Sequence, residues 1–185
     1  MQVLTSLLAP FLALVMGSAA LVADPLAAAR APGAVLMMRH ATAPGTGDPA
    51  NMRLGDCSTQ RNLSDAGREE ARAIGALLRD ARLEVGQVLA SEWCRTTETA
   101  MLLDLGPVTP FPPANSFFSN REDADRQSAA VLAYLANVPA EDRVLIVTHQ
   151  VNITALTGIV PKSGEIVVAR RSASGLEVQG RLPPP

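Results

Sequence analysis

The stretch Gly33-Ala34-Val35-Leu36-Met37-Met38 decides the fold class, and Arg39-His40 follows it directly. A short, uninterrupted apolar run of this length predicts a β-strand that is covered on both faces, as in a parallel sheet. A second run of the same kind, Val144-Leu145-Ile146-Val147, is followed by Thr148-His149. We therefore expect two buried strands, each ending at a polar pair that contains a histidine.

Amphipathic segments alternate with these strands. Ser64 is a predicted helix N-cap, and Ala71, Ile74 and Leu78 form one apolar face of a helix that runs to about Arg82. Further predicted elements are a strand over 87–90, helices over 96–105, 125–137 and 152–157, and a terminal hairpin from 164–170 and 176–182. The segments 41–61 and 107–120 are predicted loops, the second with strand edges as an alternative. Strands that alternate with helices favour a layered α/β domain.

Composition limits the class of protein. The chain has 185 residues, of which 48% are apolar and 18% charged, and its net charge is −2. This apolar content excludes a disordered chain, and no basic stripe is present that would bind a nucleic-acid backbone. The length predicts a single domain over residues 30–185. The missing basic stripe predicts that this domain has no nucleic-acid partner.

The N-terminal segment differs from the rest of the chain. Residues 3–23 carry no charged side chain, and a small-residue stretch, Ala27-Ala28-Ala29, comes soon after them. This pattern predicts a signal peptide over residues 1–29, although cleavage after Ala20 or Ala23 also fits and no basic residue precedes the apolar run. The alternative is an uncleaved N-terminal anchor, since about twenty apolar residues span a bilayer. We expect a periplasmic or secreted protein with no stable membrane association after cleavage.

Two cysteines fit an exported protein, because they can be oxidised outside the cytoplasm. A bond between Cys57 and Cys94 would close a loop of 37 residues and contribute about 3–4 kcal/mol to stability. Two free, half-buried thiols are an equal alternative from the sequence.

Both histidines of the chain follow a predicted buried strand. Ligands of open α/β sheets bind in the crevice outside the carboxyl ends of the strands, so His40 and His149 point to one site. Arg39 adjoins the first histidine, and Arg95 opens the helix after the strand over 87–90. A guanidinium offers a rigid fork of donors that matches phosphoryl oxygens. Two imidazoles with arginines at strand ends favour a compact anion as the ligand.

Four motifs occur in order along the chain. They are Leu36-Met37-Met38-Arg39-His40, Leu63-Ser64-Asp65-Ala66-Gly67-Arg68-Glu69-Glu70-Ala71, the segment 91–100 and Val147-Thr148-His149. Together they resemble the histidine phosphatase superfamily, the phosphoglycerate-mutase-like proteins, over about residues 35–168. The stretches 56–63 and 149–158 resemble an exported bacterial group that includes lipopolysaccharide core heptose phosphate phosphatases. The resemblance implies a three-layer α/β fold with a mostly parallel sheet, helices on both faces and a C-terminal hairpin.

The resemblance also implies a phosphomonoester hydrolase that needs no metal or other cofactor. His40 would be the nucleophile that forms a phosphohistidine; with a usual pKa near 6.5, imidazole is largely neutral at neutral pH. Arg39, Arg95 and His149 would hold the phosphoryl oxygens, and Arg61 is expected to reach the same pocket and bind substrate. The expected substrate is a phosphorylated small molecule or glycan.

Two positions depart from the superfamily pattern. Ala41 follows the first histidine where the family usually has Gly, which is tolerable where its φ is negative. Gln150 follows the second histidine, so the aspartate that donates a proton in the acid-phosphatase branch is missing. The candidates for a general acid are Glu92, Glu122 and Glu165. A weak general acid would favour good leaving groups, since such catalysis typically contributes about 10²–10⁴-fold.

Three alternatives stay open. The same pocket would serve a non-catalytic phosphate- or anion-binding envelope protein. A metal site from His40, His149, Cys57 and Cys94 is disfavoured, because the spacing lacks the local ligand pairs of zinc sites. The third alternative is an anchored envelope protein whose histidines are only structural.

Overall fold

A computed structural model describes residues 24–185 of the protein. Residues 1–23, which hold most of the predicted signal segment, lie outside the described residues. The helices are α1 (Pro25–Arg30), α2 (Asp65–Asp80), α3 (Cys94–Leu103), α4 (Ala124–Ala136) and α5 (Gln150–Thr157). The strands are β1 (Ala34–Arg39), β2 (Gln87–Ala90), β3 (Val108–Pro110), β4 (Val144–Thr148), β5 (Ile166–Ser172) and β6 (Gly175–Leu182). Within the described range, no helix has the length and apolar character needed to cross a membrane.

The described strands form one sheet in the order β3-β2-β4-β1-β5-β6. The first four run parallel, whereas β5 pairs antiparallel with β1 and forms a hairpin with β6. Val35 of β1 pairs with Val144 of β4, so these two strands end side by side. The amide of His40 donates a hydrogen bond to the carbonyl of Thr148 at 3.0 Å. Both histidines therefore lie at one end of the sheet, beyond the carboxyl ends of its central strands.

Helices cover both faces of the sheet, because successive side chains of a buried strand point to opposite faces. Leu36 and Met38 pack on one face with residues of α1, α2 and α3. Val35 and Met37 pack on the other face with residues of α4 and α5. The expected three-layer α/β fold, with a mostly parallel sheet and a C-terminal hairpin, is confirmed.

α2 begins where the sequence predicts it, and its first turn lies close to the segment that follows His40. Ser64 caps the helix, its Oγ accepting a hydrogen bond from the amide of Gly67 at 3.0 Å. A Cβ on Gly67 would clash with the carbonyl of Thr42. Glycine at this position therefore lets α2 approach the segment that follows His40.

One helix begins earlier than expected. α3 begins at Cys94, and Thr96 bonds through Oγ1 to the carbonyl of Trp93 within its first turn. β3 lies in the segment 107–120, where the sequence left a loop and strand edges as alternatives, and its Pro110 is accommodated because β3 is an edge strand. α1 spans the end of the predicted signal segment, from Pro25 to Arg30, and packs against the sheet with Ala29 fully buried.

The predicted long loop connects β1 to α2 and contains only a short 3₁₀ turn at Cys57–Thr59 and an isolated bridge. A disulfide joins Cys57 of this loop to Cys94 at the start of α3. Of the two alternatives that the sequence leaves open, the structure has the disulfide. Because Arg95 follows Cys94, the disulfide fastens the loop beside an expected site residue.

Candidate functional site

His40 lies directly beyond β1 and is 2% exposed. Its Nδ1 lies 2.7 Å from the carbonyl oxygen of Ala41. Because that oxygen can only accept, we assign the proton to Nδ1 and a free lone pair to Nε2. The amide of Ala41 donates to Oγ1 of Thr99 at 3.1 Å, and Ala41 is not among the described residues with positive φ. Alanine therefore fits here without strain, and its backbone orients the imidazole.

His149 lies directly beyond β4, with its ring centroid 5.6 Å from that of His40. A guanidinium nitrogen of Arg95 lies 3.4 Å from Nδ1; since guanidinium only donates, we assign the proton of this ring to Nε2. Nε2 then donates to Oγ of Ser91 at 2.8 Å. Trp93 packs edge-on at 5.3 Å between centroids. The second imidazole is thus held at both nitrogens beside the first.

Three arginines and the two histidines surround one cavity. Arg39 is the last residue of β1, and Arg95 lies in the first turn of α3. Arg61 comes from the long loop and donates from Nε to the carbonyl of Gly47 at 2.7 Å and from Nη1 to that of Ala43 at 2.5 Å. The structure therefore brings together all the arginines that the sequence analysis named for the site.

Asp48 occupies the guanidinium fork of Arg95. Nη1 and Nη2 of Arg95 donate to the two carboxylate oxygens at 2.5 and 3.1 Å, and the indole of Trp93 donates to Oδ2 at 3.1 Å. Burial tends to raise the pKa of Asp48, but these hydrogen bonds and the charges of Arg95 and Arg61 hold the pKa below its ordinary value. The carboxylate is therefore ionised at neutral pH. The sequence analysis missed this residue, which lies in the long loop.

Both imidazoles are neutral at neutral pH. Burial lowers the pKa of His40 to about 3, and the charges of Arg95, Arg61 and Arg39 add to this effect. Burial also lowers the pKa of His149 well below its usual value, with further contributions from His40 and the same arginines. A neutral imidazole has a lone pair, so His40 is in the form that a nucleophile requires.

The glutamates considered as general acids lie elsewhere. The carboxylate of Glu92 accepts a hydrogen bond from an asparagine side chain at 2.7 Å, and Glu122 is exposed in a 3₁₀ turn. Glu165 is buried and accepts from Nε of Arg181 at 2.5 Å; burial raises its pKa, but this contact brings the pKa below its ordinary value. Within the part of the chain that the structure describes, Asp48 is the one carboxylate lining the cavity. The structure does not bring the three glutamates to the histidines.

The cavity has a volume of about 500 Å³ and is lined by both charged and apolar side chains. The charged part of the lining contains the histidines, Asp48 and the arginines described above. The apolar part, which we call the apolar wall, is formed by Phe117, Phe118, Val151, Ala155 and Val160. Arg121 lies beside this wall, with its guanidinium carbon 5.1 Å from the ring centroid of Phe118. Four arginines and one aspartate line the cavity, so its field favours anions.

The metal site considered as an alternative is not assembled. Cys57 and Cys94 are joined in a disulfide and are not thiolate ligands. Among residues 24–185, no group of three or more His, Cys, Asp or Glu side chains is placed to hold a metal ion.

Comparisons with known proteins agree with the fold. No protein-family model and no curated protein matches the sequence. The protein histidine phosphatase SixA, solved with tungstate, is 20% identical with a TM-score of 0.59, over 82% of this chain and 97% of that one. A mycobacterial glucosyl-3-phosphoglycerate phosphatase is 17% identical with a TM-score of 0.54, over 76% of this chain and 90% of that one.

A third similar structure is a mutant phosphoserine phosphatase from Entamoeba histolytica in complex with phosphoserine. It is 11% identical with a TM-score of 0.58, over 80% of this chain and 95% of that one. At these identities the likeness establishes a shared fold. The chain therefore has the phosphoglycerate-mutase-like fold that its motifs imply.

Proposed function

We propose that the protein is a phosphomonoester hydrolase of the histidine phosphatase superfamily, acting through a phosphohistidine at His40. One observation carries this proposal: Nδ1 of His40 is fixed on the carbonyl of Ala41, which leaves Nε2 for a cavity lined by arginines. The similar structures reported above are of phosphatases, which supports the same class of reaction here.

The reaction has two steps. In the first, the Nε2 lone pair of His40 attacks phosphorus, and the bond from phosphorus to the leaving oxygen breaks as the P–N bond forms. The leaving oxygen takes the electron pair and gains a proton from water. In the second step a water molecule attacks phosphorus, loses a proton to solvent and returns the P–N electron pair to Nε2. The Nδ1–H bond to Ala41 stabilises the positive charge that the ring carries between the two steps.

The arginines bind and stabilise the phosphoryl group. Arg39, Arg61 and Arg95 supply the positive charge that metal ions supply in many other phosphoryl-transfer sites. Arg95 has its fork on Asp48, so phosphoryl oxygens bind this arginine by replacing that carboxylate. We expect turnover to persist in the presence of a chelator.

The substrate of this proposal is a phosphorylated small molecule or glycan outside the cytoplasm. The disulfide between Cys57 and Cys94 supports an oxidising compartment, and residues 3–23 have the composition of a signal segment. The resemblance to exported lipopolysaccharide heptose phosphatases points to an envelope substrate. After signal cleavage the protein would be periplasmic or secreted.

Covalent labelling tests the reaction directly. Incubation with a ³²P-labelled aryl phosphomonoester should leave an acid-labile, base-stable adduct on the wild-type protein and release inorganic phosphate. His40→Asn should abolish both, because its amide cannot act as the nucleophile. The variant should still bind inorganic phosphate, since the arginines remain, and this binding serves as the control for folding.

The alternative function is binding of phosphate or another anion without turnover. The ionised Asp48 on Arg95 supports it, because the guanidinium fork already pairs with a carboxylate, whose oxygens resemble those of a bound anion. Phosphate binding by the wild-type protein without adduct or turnover would reject the hydrolase and establish the binding protein.

A further inference from the structure

The cavity is larger than a phosphoryl group needs. Its volume of about 500 Å³ lies within the range of sites that enclose a whole small molecule. The two histidines with Arg39, Arg61 and Arg95 are sufficient to hold the phosphoryl group, so the rest of the cavity is available to the group esterified to phosphate. The side chains of the apolar wall therefore face the substrate's organic part.

One helix connects His149 to the apolar wall. His149 immediately precedes α5, and Val151, Thr154 and Ala155 of that helix line the cavity. Residues separated by three and four positions lie on one helix face, so these side chains form a continuous strip. At a rise of about 1.5 Å per residue the strip extends about 9 Å from His149 to Ala155. This length accommodates a ring beyond the phosphoryl group.

Two apolar side chains of the wall are left exposed. Phe118 is 44% exposed and Val160 is 60% exposed, although both are large apolar residues. Phe117, the neighbour of Phe118 in the chain, is 3% exposed and also lines the cavity. The guanidinium of Arg121 covers part of the Phe118 ring, so the rim of the wall is also positively charged. This combination is suited to an anionic ligand with an apolar, ring-sized body.

From this arrangement we propose that the natural substrate class is phosphomonoesters with an apolar aryl or arylalkyl group, which packs on Phe118, Val151 and Val160. The proposal rests on the hydrolase function and narrows its substrate. Sugars present hydroxyl groups along every edge, and the side chains of Phe118, Val151 and Val160 offer these no hydrogen-bond partner, although Ser116, Gln150 and Thr154 line the same cavity. The proposal therefore predicts that a glycan phosphate is the weaker ligand. The phosphoryl group is held at the arginines, and burial of the ring supplies the preference.

Phosphonates test the preference without turnover, because their P–C bond is not hydrolysed. Calorimetry with benzylphosphonate, methylphosphonate and a hexose phosphonate gives three dissociation constants for the wild-type protein. We expect benzylphosphonate to bind at least about tenfold more tightly than the other two, as expected for partial burial of a phenyl ring. The double variant Phe118→Ala/Val160→Ser should lose this preference and keep its affinity for methylphosphonate.

Met101→Ala is the matched control, because Met101 is 64% exposed and lies outside the cavity lining. It should keep the wild-type preference. Equal affinities for benzyl and methyl phosphonates, or tightest binding of the hexose compound, would overturn the proposed substrate class even if the enzyme turns over aryl phosphates. A benzyl preference in a protein that forms no phosphohistidine would confirm the apolar wall as a binding site and reject the hydrolase instead.

Discussion

Replacement of Asp48 by asparagine should tighten the binding of anions at the site. In the free protein the carboxylate takes two hydrogen bonds from Arg95, at 2.5 and 3.1 Å, in the geometry by which a guanidinium also holds phosphoryl oxygens. An anion that binds to Arg95 must displace this carboxylate. The wild-type protein loses an internal ion pair in doing so, whereas the Asp48→Asn variant has none to lose.

The magnitude follows from the bonds exchanged. Hydrogen bonds to charged groups contribute about 1.5–3 kcal/mol, and neutral ones about 0.5–1.5 kcal/mol. Asparagine keeps one neutral acceptor for Arg95, so the substitution removes about 2 kcal/mol of competing interaction. Solvent screening is small here, because the side chains of Arg95 and Asp48 are 3% and 14% exposed. Since about 1.4 kcal/mol corresponds to tenfold in affinity, we expect about 30-fold tighter binding.

Calorimetric titration with tungstate, an unreactive phosphate analogue, measures this effect at constant ionic strength. Asp104→Asn is the control for the loss of one negative charge, because the Asp104 side chain is 85% exposed and its φ of 52° is one that asparagine tolerates. This control should bind tungstate as the wild type does. Unchanged or weaker binding by Asp48→Asn would refute competition and make Asp48 a positioning residue for Arg95.

Stability provides a second readout of the same exchange. Without ligand, the Asp48→Asn variant should unfold with a free energy lower by about 2 kcal/mol, because it lacks the ion pair of the free protein. In saturating tungstate the difference should vanish, because Asp48 no longer contacts Arg95 in either protein. A difference that persists in tungstate would mean that the carboxylate stays on Arg95 in the bound state.

The buried histidines, the disulfide and α1 each lead to a measurable outcome. Burial lowers the pKa of His40 to about 3. Below pH ~6.5 the unfolded chain therefore takes up a proton at this histidine that the folded chain does not. The free energy of unfolding should consequently fall by about 1.4 kcal/mol for each pH unit between pH ~6.5 and pH ~3. Histidine NMR titration checks this, and a midpoint near the ordinary value would contradict it. Cys57→Ser/Cys94→Ser should destabilise the protein by up to about 4 kcal/mol, given a separation of 37 residues; a loss under about 1 kcal/mol in denaturant unfolding would argue against the bond. Because α1 packs Ala29 into the core, signal cleavage should occur before this helix, after Ala20 or Ala23, and N-terminal sequencing that begins at Arg30 would show otherwise.

The positions of the main site residues could be predicted because they adjoin strand ends. His40 and His149 follow uninterrupted apolar runs, and parallel pairing of β1 with β4 then makes them neighbours without further assumptions. Arg39 immediately precedes His40 in the chain and therefore lies at the same end of the sheet. The backbone contacts that orient His40 were not predictable, because the amide of Ala41 is held by Thr99 of α3, which is distant from it in the chain.

Asp48 could not be found in the same way. It lies within a long loop, and a loop has no regular periodicity from which the direction of a side chain could be predicted. Its position depends on Arg61, which bonds the adjacent Gly47, and on the disulfide, which fixes a later part of the loop against α3. The prolines of segment 107–120 left a loop and strand edges as alternatives for a related reason, since only an edge strand tolerates Pro110 and the strand order is a property of the whole sheet.

Arg61 and Arg95 carry the same charge but differ in which of their contacts a ligand can replace. Arg61 uses Nε and Nη1 to hold the loop at the carbonyls of Gly47 and Ala43, whereas Arg95 uses its fork on the side chain of Asp48. Displacement of Asp48 therefore frees the Arg95 fork while Arg61 keeps its loop contacts. Because the backbone of the loop stays fastened by Arg61 and the disulfide, a change of the Asp48 side chain is sufficient to exchange an internal anion for a phosphoryl group.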